Sequence, residues 1–302
     1  PPISTLLPYT TLFRSAGIAF GFVFVKNYFD TTIKNPEDIE KKNINLLVWI
    51  PRIEGLDFAE KKAIELVVAR RPESGPSEAF RALRTRILLS KIGADSLKTI
   101  LVTSATQGEG KTTIICNMAV TFAQTNKKTL LIDCDFRKPR VHNVFSSVRI
   151  PGLVDYFFKK ASLSEVIRDS GIENLDFIPA GTIPPNPSEI LESSNMKSFL
   201  KQMKEKYDII LIDSPPIIAV TDAEVLSSIV DGTILVVSSE TTQAELMEKS
   251  IGLLHGQNSF FLGTVLNNFK YKGTYGSYYK YYYYYSGSQT DKKTKEIPPA
   301  KG

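Results

Sequence analysis

The sequence is poor in cysteine: its 302 residues contain only Cys116 and Cys134. Two cysteines cannot build a disulfide framework or a zinc site with the usual paired spacing. Free cysteine is among the most often buried residue types, so we expect both to act as small core hydrophobes. This cysteine usage fits a reducing, cytoplasmic compartment.

A long apolar run is also missing. Residues 16–25 are uncharged and apolar, but a membrane-spanning helix needs about 20 such residues, so this run alone is too short. Lysines follow the run, as expected where a helix leaves a membrane on the cytoplasmic side. We interpret residues 1–26 as a partial transmembrane segment and exclude residues 1–15 from the fold argument. A buried helix or strand is the alternative.

Net charge is absent from most of the chain. The formal charge of +5 resides in residues 270–302, which hold seven Lys against one Asp and one Glu, so residues 1–269 are neutral overall. A nucleic-acid binder would cluster its basic residues on a folded face, so we predict no nucleic-acid partner. The basic end could instead meet an acidic partner or an anionic membrane surface.

The middle of the chain divides into a linker and a folded domain. Residues 27–76 are polar and interrupted by prolines, and we interpret them as a juxtamembrane linker with some local structure. A helix is predicted from Ser77, because Phe80, Leu83 and Ile87 form an apolar stripe at helical spacing. The predicted folded domain spans residues 77–269.

Within this domain, short apolar runs alternate with helical patterns. The predicted strands are 99–103, 129–133, 175–179, 208–213, 233–238 and 262–266, and the predicted helices are 111–125, 188–205, 222–229 and 241–256. Strands buried on both faces read as continuous apolar runs. The alternation predicts an α/β fold, a P-loop NTPase-like, mostly parallel sheet with helices on both faces. Ligands of such sheets bind at the carboxyl ends of the strands.

A phosphate-binding loop follows the first of these strands. Residues 104–113 read Ser-Ala-Thr-Gln-Gly-Glu-Gly-Lys-Thr-Thr and match the P-loop pattern, except that Ala105 replaces its first glycine. In such loops backbone N–H groups close around phosphates at a helix N-terminus. A plain strand-to-helix turn is the alternative, and the surrounding strand and helix patterns favour an ATP site. The predicted nucleotide-binding residues are Gly108, Glu109, Gly110, Lys111, Thr112 and Thr113.

Two later strands end in carboxylates. The strand 129–133 ends at Asp133, with Asp135 two residues on, and the strand 208–213 ends at Asp213. Residues two apart on a strand point to the same face, so Asp133 and Asp135 can both face a nucleotide. Mg²⁺ takes few carboxylates and keeps most of its waters. We predict magnesium binding by Thr112, Asp135 and Asp213, although an Asp after a strand is often only a turn or helix cap.

The C-terminal segment is rich in tyrosine. Nine of the thirteen tyrosines fall within residues 271–285, interleaved with Gly and Ser. We expect residues 270–302 to be a disordered tail, because the phenol groups of five consecutive tyrosines cannot all find buried partners. The tail is either a set of phosphate acceptors or a sticky aromatic segment that binds a partner. The predicted acceptors are Tyr275, Tyr278, Tyr279, Tyr281, Tyr282, Tyr283, Tyr284 and Tyr285.

Together these motifs resemble the bacterial tyrosine kinase family, the co-polymerase autokinases of polysaccharide export. Residues 104–113 look like the family's Walker A motif, 130–137 like its own acidic motif and 209–213 like its Walker B motif. Residues 184–189, Pro-Pro-Asn-Pro-Ser-Glu, also resemble a family segment. Glu78, Arg81 and Arg84 look like the oligomerisation motif of the family, and a solvated helix face is the alternative.

The resemblance implies an ATP- and Mg²⁺-dependent protein-tyrosine autokinase in a ring-like homo-oligomer. A family member's kinase domain lies on the cytoplasmic side of the bacterial inner membrane, after a transmembrane helix. The implied partners are other copies of the chain, the polysaccharide polymerisation and export machinery, a cognate tyrosine phosphatase and the membrane. Each tail would accept phosphate from the site of a neighbouring subunit.

Roles for individual residues follow from this implied reaction. Lys111 would neutralise the β- and γ-phosphates and Arg137 the developing charge. Asp133 would orient the tyrosine hydroxyl, with Asp135 and Asp213 holding Mg²⁺ through its waters. The predicted catalytic residues are therefore Lys111, Asp133, Asp135, Arg137 and Asp213, and the resemblance also implies that Asn267 and Asn268 contact adenine.

Two rivals to the kinase remain open on sequence alone. A partition-type switch ATPase would hydrolyse ATP without phosphorylating protein, but such ATPases carry a signature Lys where this chain has Thr106 and lack a tyrosine tail. A non-catalytic nucleotide-binding scaffold would dock on export machinery through the tail. The intact set of Lys111, Asp133, Asp135 and Asp213 argues against the scaffold.

Overall fold

Eight strands form one sheet in the computed structural model, which describes residues 14–15, 30–53, 65–90, 97–255 and 260–270. The strands are β1 (Leu46–Pro51), β2 (Thr99–Ser104), β3 (Thr129–Asp133), β4 (Arg168–Ile172), β5 (Leu175–Ile178), β6 (Ile209–Asp213), β7 (Gly232–Ser238) and β8 (Phe260–Phe269). Their spatial order is β1-β8-β7-β2-β6-β3-β5-β4. Neighbouring strands are parallel except for β4 and β5, which confirms the predicted mostly parallel sheet.

Helices cover both faces of this sheet. They are α1 (Pro36–Glu40), α2 (Val67–Arg70), α3 (Gly75–Leu88), α4 (Lys111–Ala123), α5 (Val141–Val144), α6 (Leu153–Phe157), α7 (Leu163–Val166), α8 (Pro187–Glu192), α9 (Ser194–Lys206), α10 (Asp222–Ser227) and α11 (Ala244–His255). In β7, Ile234 and Val236 join the core cluster of α3 and α4, whereas Leu235 and Val237 join that of α11. Successive strand residues thus bury opposite faces, which explains the unbroken apolar runs.

The structure departs from the sequence prediction at the two edges of the sheet. Residues 46–51 fall in the range that we assign to the linker, yet β1 pairs in parallel with β8, with Leu47, Val48 and Ile50 buried. At the other edge, β4 forms an antiparallel hairpin with β5 that the sequence does not predict. β4 reads Arg-Asp-Ser-Gly-Ile and is partly exposed along its length, so it carries no apolar pattern.

The helix predicted over 188–205 is two helices in the structure. Ser193 lies between α8 and α9 with a ψ angle of 153°, outside the helical range. Its side-chain oxygen accepts a hydrogen bond from the backbone N–H of Met196, which caps α9. The local cap therefore overrides the continuous apolar period of this stretch.

Two predicted segments lie outside the described residues, namely the apolar run 16–25 and the tyrosines of 271–285. Among the helices that the structure describes, none has the length and apolarity needed to cross a bilayer.

Gly263 in β8 is expected to tolerate no side chain. Its φ angle is 144°, and a Cβ atom there would lie 2.6 Å from the backbone oxygen of Asn45. We predict that Gly263→Ala lowers the unfolding free energy by about 1–3 kcal/mol, the usual cost of a strained backbone position. The control is Gly252→Ala in α11, where a Cβ atom meets nothing within 4 Å. Urea denaturation of both variants provides the comparison, and an equal effect of the two substitutions would contradict this account of β8.

Candidate active site

The phosphate-binding loop joins β2 to α4 at the carboxyl edge of the sheet. β2 ends at Ser104 and α4 begins at Lys111. Gly108 and Gly110 adopt φ angles of 90° and 91°, the left-handed region that glycine enters without steric cost. A Cβ atom on Gly110 would lie 2.3 Å from the side-chain nitrogen of Asn267, so the loop closes against β8 at a glycine. This backbone path leads into a helix N-terminus, the geometry that binds anions.

Lysine, hydroxyl and carboxylates meet beside this loop. Asp133 and Asp213 lie directly opposite each other in the register of β3 and β6. The Nζ atom of Lys111 lies 2.8 Å from Oδ2 of Asp135 and 3.4 Å from Oδ1 of Asp213. The hydroxyl of Thr112 donates a hydrogen bond of 2.7 Å to Oδ2 of Asp213. The structure therefore brings these five predicted site residues together.

The ammonium of Lys111 and the carboxylate of Asp213 stabilise each other's charge. Burial by itself would lower the pKa of Lys111, but the carboxylates of Asp213 and Asp135 outweigh burial and raise it. Burial raises the pKa of Asp213, and Lys111 opposes that rise. Lys111 is therefore a fully charged cation, nearly enclosed, at the end of the phosphate-binding loop.

Asp133 is enclosed at the end of β3 by backbone contacts. Its side chain is fully buried and accepts backbone N–H hydrogen bonds from Asp135, Arg140 and Val141 at 3.2, 3.1 and 3.1 Å. Burial, reinforced by the charge of Asp213, raises the pKa of Asp133 to about 8. These contacts hold Asp133 beneath the loop that follows β3, and its predicted role in orienting a tyrosine hydroxyl stays a prediction.

A cleft of about 400 Å³ opens over the phosphate-binding loop and the strand ends. It is lined by Ser104, Gln107, Gly108, Gly110, Lys111, Thr112, Thr113, Asp135, Arg137, Lys138, Arg140, Pro215, Pro216, Ala219 and Val220. One side is basic and one wall, residues 215–220, is largely apolar. This combination suits phosphate groups together with a flat aromatic ring, and its volume is that of a small-ligand site.

Glu109 and Asn267 support the loop rather than face this cleft. The buried carboxylate of Glu109 accepts hydrogen bonds from the backbone N–H and the hydroxyl of Thr106, both at 2.9 Å, and from the hydroxyl of Thr242. Burial raises the pKa of Glu109. Asn267 donates to the backbone oxygen of Glu109 at 2.8 Å and lines a neighbouring cavity of about 180 Å³ with Gly110 and Thr113. The predicted contact of Asn267 with adenine stays a prediction.

Arg137 lines the cleft and pairs with Asp222, a residue that no sequence motif marks. Its guanidinium donates to both carboxylate oxygens of Asp222, at 2.9 and 3.0 Å, and Asp222 has no exposed surface. Ser188 donates a further hydrogen bond of 2.6 Å to Asp222. Asp222 follows no recognisable motif and lies 85 residues from Arg137, so no local signal marks the pair.

The three residues of the predicted oligomerisation motif have contacts within their own chain. Arg81 pairs with Glu78 and also donates to the backbone oxygen of Pro72 at 2.7 Å. Arg84 donates to the backbone oxygen of Thr121 at 2.7 Å, which ties α3 to α4. These contacts do not test the predicted role in oligomerisation.

The chemistry of the site fits the predicted cofactors. The loop offers N–H groups and Lys111 to polyphosphate, and the paired oxygens of Thr112 and Asp213 are the hard donors that Mg²⁺ prefers. In the described part of the chain, no group of three or more His, Cys, Asp and Glu side chains is arranged to hold a metal ion alone. Magnesium in nucleotide sites typically uses one or two carboxylates and completes its shell with waters and phosphates.

Comparison with known proteins identifies the family. The AAA domain family model matches residues 97–251. The chain is 40% identical over 205 residues to the tyrosine-protein kinase YwqD of Bacillus subtilis, covering 68% of this chain and 86% of YwqD. It is 38% identical over 226 residues to the putative tyrosine-protein kinase CapB of Staphylococcus aureus, covering 74% and 99%. The chain belongs to the bacterial tyrosine-protein kinases.

The structural comparison agrees with this assignment. The kinase domain of the Escherichia coli tyrosine kinase ETK superposes with a TM-score of 0.74 at 30% identity, covering 80% of this chain and 97% of that domain. The predicted P-loop NTPase-like fold is therefore confirmed. The chain is an enzyme of the tyrosine-kinase type, and the comparison does not favour the switch ATPase or the scaffold.

Asp133→Asn is expected to flatten the pH dependence of stability. The pKa of Asp133 rises from 3.8 to about 8 on folding, so the folded protein holds a proton that the unfolded chain releases. Its contribution to stability is complete below about pH 4 and is lost as the pH rises to about 8, at up to about 1.4 kcal/mol per pH unit. Chemical denaturation without nucleotide, at several pH values in that window, should show a steeper decline for the wild type. Parallel curves for the two proteins would contradict the buried, protonated carboxyl.

Proposed function

We propose that this enzyme transfers the γ-phosphoryl group of ATP to tyrosine hydroxyls in the tail of a neighbouring subunit. The observation that carries the proposal is the ammonium of Lys111, 2.8 Å from Asp135, at the floor of a cleft with a basic side and an apolar wall. This cleft can hold a polyphosphate and an aromatic ring side by side. The tyrosines at 271–285 supply acceptors in the same chain.

The loop residues would bind the nucleotide. Backbone N–H groups of the phosphate-binding loop and the Nζ atom of Lys111 would contact the β- and γ-phosphates. Thr112 and Asp213, with Asp135, would hold Mg²⁺, which would neutralise charge on the phosphate oxygens. Asn267 and Asn268 line the neighbouring cavity beside the loop, and they would contact the base there.

The transfer step requires little covalent chemistry from the protein. The phenolic oxygen forms a bond to the γ-phosphorus while the bond between that phosphorus and the bridging oxygen to the β-phosphate breaks, releasing ADP. A tyrosine pKa near 10 makes early deprotonation unfavourable, so the phenolic proton would leave late, to the carboxylate that orients the phenol. Asp133 would orient the phenol and accept this proton, with Asp135 beside it in the lining of the cleft. Arg137 would stabilise the charge on the transferring group.

The tail starts on the correct side of the molecule. β8 is parallel to β7 and β7 to β2, so their carboxyl ends share the edge that carries the phosphate-binding loop. Lys270, the last described residue, follows β8 at this edge and pairs with Glu240 at 2.7 Å. Two strand spacings of about 4.8 Å separate β8 from β2. The tail therefore begins close to its own cleft. In a ring it would reach the cleft of a neighbouring subunit, where the phenolic oxygen could lie in line with the γ-phosphate.

The wider setting of the reaction follows from the family resemblance. We place the kinase domain on the cytoplasmic side of the bacterial inner membrane, anchored through residues 1–26. Its partners would be further copies of the chain through Glu78, Arg81 and Arg84, the polysaccharide polymerisation and export machinery, and a cognate tyrosine phosphatase. Each phosphate adds nearly two negative charges, so several would invert the +5 of the tail and loosen the ring.

Mixing two complementary variants tests transfer between subunits. One is Lys111→Met with an intact tail, and the other has an intact site with Phe at all nine tyrosines of 271–285. With Mg²⁺ and ATP, phosphate should appear on the Lys111→Met chain only in the mixture, because only the other chain has a working site. Intact mass spectrometry separates the two chains by mass, and each variant alone is the control.

Each outcome of the mixing experiment is decisive. Phosphate on the wild type but none on the Lys111→Met chain in the mixture would show transfer within one subunit. ATP turnover by the wild type without added mass would return the switch ATPase as the better function. Neither turnover nor added mass in the full chain would favour the scaffold.

A further inference from the structure

Arg137, which lines the cleft, pairs with a buried carboxylate at the start of α10. Asp222 is fully buried. Its two carboxylate oxygens accept hydrogen bonds from Nε and Nη2 of Arg137, at 2.9 and 3.0 Å. Such bidentate contacts fix the plane of a guanidinium as well as its position. The contact with Asp222 also raises the pKa of Arg137.

Ser188 makes this contact a network of three residues. Its hydroxyl donates to Oδ1 of Asp222 at 2.6 Å. Ser188 lies in α8, within the Pro-Pro-Asn-Pro-Ser-Glu segment, and α8 packs against α10. Through Ser188 and Asp222 this segment is linked to Arg137 at the nucleotide site.

Stability alone is a poor explanation for this network. Taking a carboxylate fully out of water is costly, and replacing a buried ion pair by apolar residues is often neutral or stabilising. Arg137, by contrast, keeps 40% of its side chain exposed and lines the cleft. In the described part of the chain, the hydrogen bonds of its guanidinium use Nε and Nη2, which leaves Nη1 for a ligand.

We propose that Asp222 is a positioning residue for phosphoryl transfer, which holds the guanidinium of Arg137 toward the transferring group, and that Ser188 holds Asp222. The inference rests on the proposed function, because it assigns Arg137 to the transferring phosphoryl group. A freely rotating arginine would spend little time in the one orientation that stabilises the transition state. Because Asp222 fixes the plane of the guanidinium, Arg137 is already oriented before the substrate binds.

Kinetics of four variants test the network. Asp222→Asn keeps the size of the side chain and removes its charge. Ser188→Ala removes the hydroxyl that donates to Asp222, and Arg137→Ala removes the guanidinium. The double variant Asp222→Asn with Arg137→Ala separates an effect through Arg137 from an independent one. Asp176→Asn is the matched control, since Asp176 on β5 also accepts a side-chain hydrogen bond, from Tyr207 at 2.7 Å, and does not line the cleft.

The proposal predicts a loss in kcat with little change in KM. Arg137→Ala and Asp222→Asn should each lower kcat for tail phosphorylation by about 10²-fold, while KM for ATP stays within about threefold. Ser188→Ala should lower kcat by a smaller factor, and the kcat of Asp176→Asn should match that of the wild type. The double variant should be no slower than Arg137→Ala alone, because residues that act as one unit are not additive.

Other outcomes overturn the proposal. Additive losses in the double variant, or an effect on KM alone, would mean that Asp222 does not act through Arg137. If Asp222→Asn fails to fold, Arg137→Lys decides the question, because lysine keeps the charge but cannot make the paired contact with Asp222. A wild-type kcat in Arg137→Lys would then refute the positioning role of Asp222. A wild type that phosphorylates no tyrosine refutes the proposed function itself, and the inference with it.

Discussion

The ammonium of Lys111 among carboxylates is the interaction on which the site depends. Asp135 and Asp213 are nearly or fully buried, and a buried carboxylate is costly unless a cation or hydrogen-bond donors compensate for it. The parallel order of β2, β6 and β3 places the loop and both acidic strand ends side by side. The contacts that offset the burial of these charges are therefore also the ones proposed to bind a polyphosphate and its magnesium ion.

The surrounding structure holds this cluster from two directions. On the β8 side, Asn267 and the buried Glu109 fix the phosphate-binding loop through backbone and hydroxyl contacts. On the β3 side, Asp133 holds the loop that follows it through three backbone N–H groups, and Asp222 holds Arg137. The groups proposed to act in phosphoryl transfer are thus held in place around the carboxyl edge of the sheet, as a reaction governed by positioning requires.

Local patterns predicted the parts of the molecule that depend on neighbouring residues. The phosphate-binding loop, the buried strands β2, β3, β6 and β7 and the acidic strand ends all carry their signal within about ten residues, since apolar runs and glycine spacing are local. Other parts depend on distant partners. β1 joins β8 across more than 200 residues, Asp222 meets Arg137 across 85, and the enclosure of Asp133 follows from where the chain turns after β3. No pattern in the sequence specifies these contacts.

The most direct test of the nucleotide site is the affinity for a non-hydrolysable ATP analogue, with and without Mg²⁺, measured by calorimetry on the wild type and on Thr112→Val. The hydroxyl of Thr112 lies 2.7 Å from Asp213, and together they are the proposed ligands of the ion. The account predicts that magnesium strengthens binding to the wild type by at least about tenfold and that Thr112→Val loses most of this gain, since hard oxygen donors hold Mg²⁺. An undiminished magnesium effect in Thr112→Val would contradict the account.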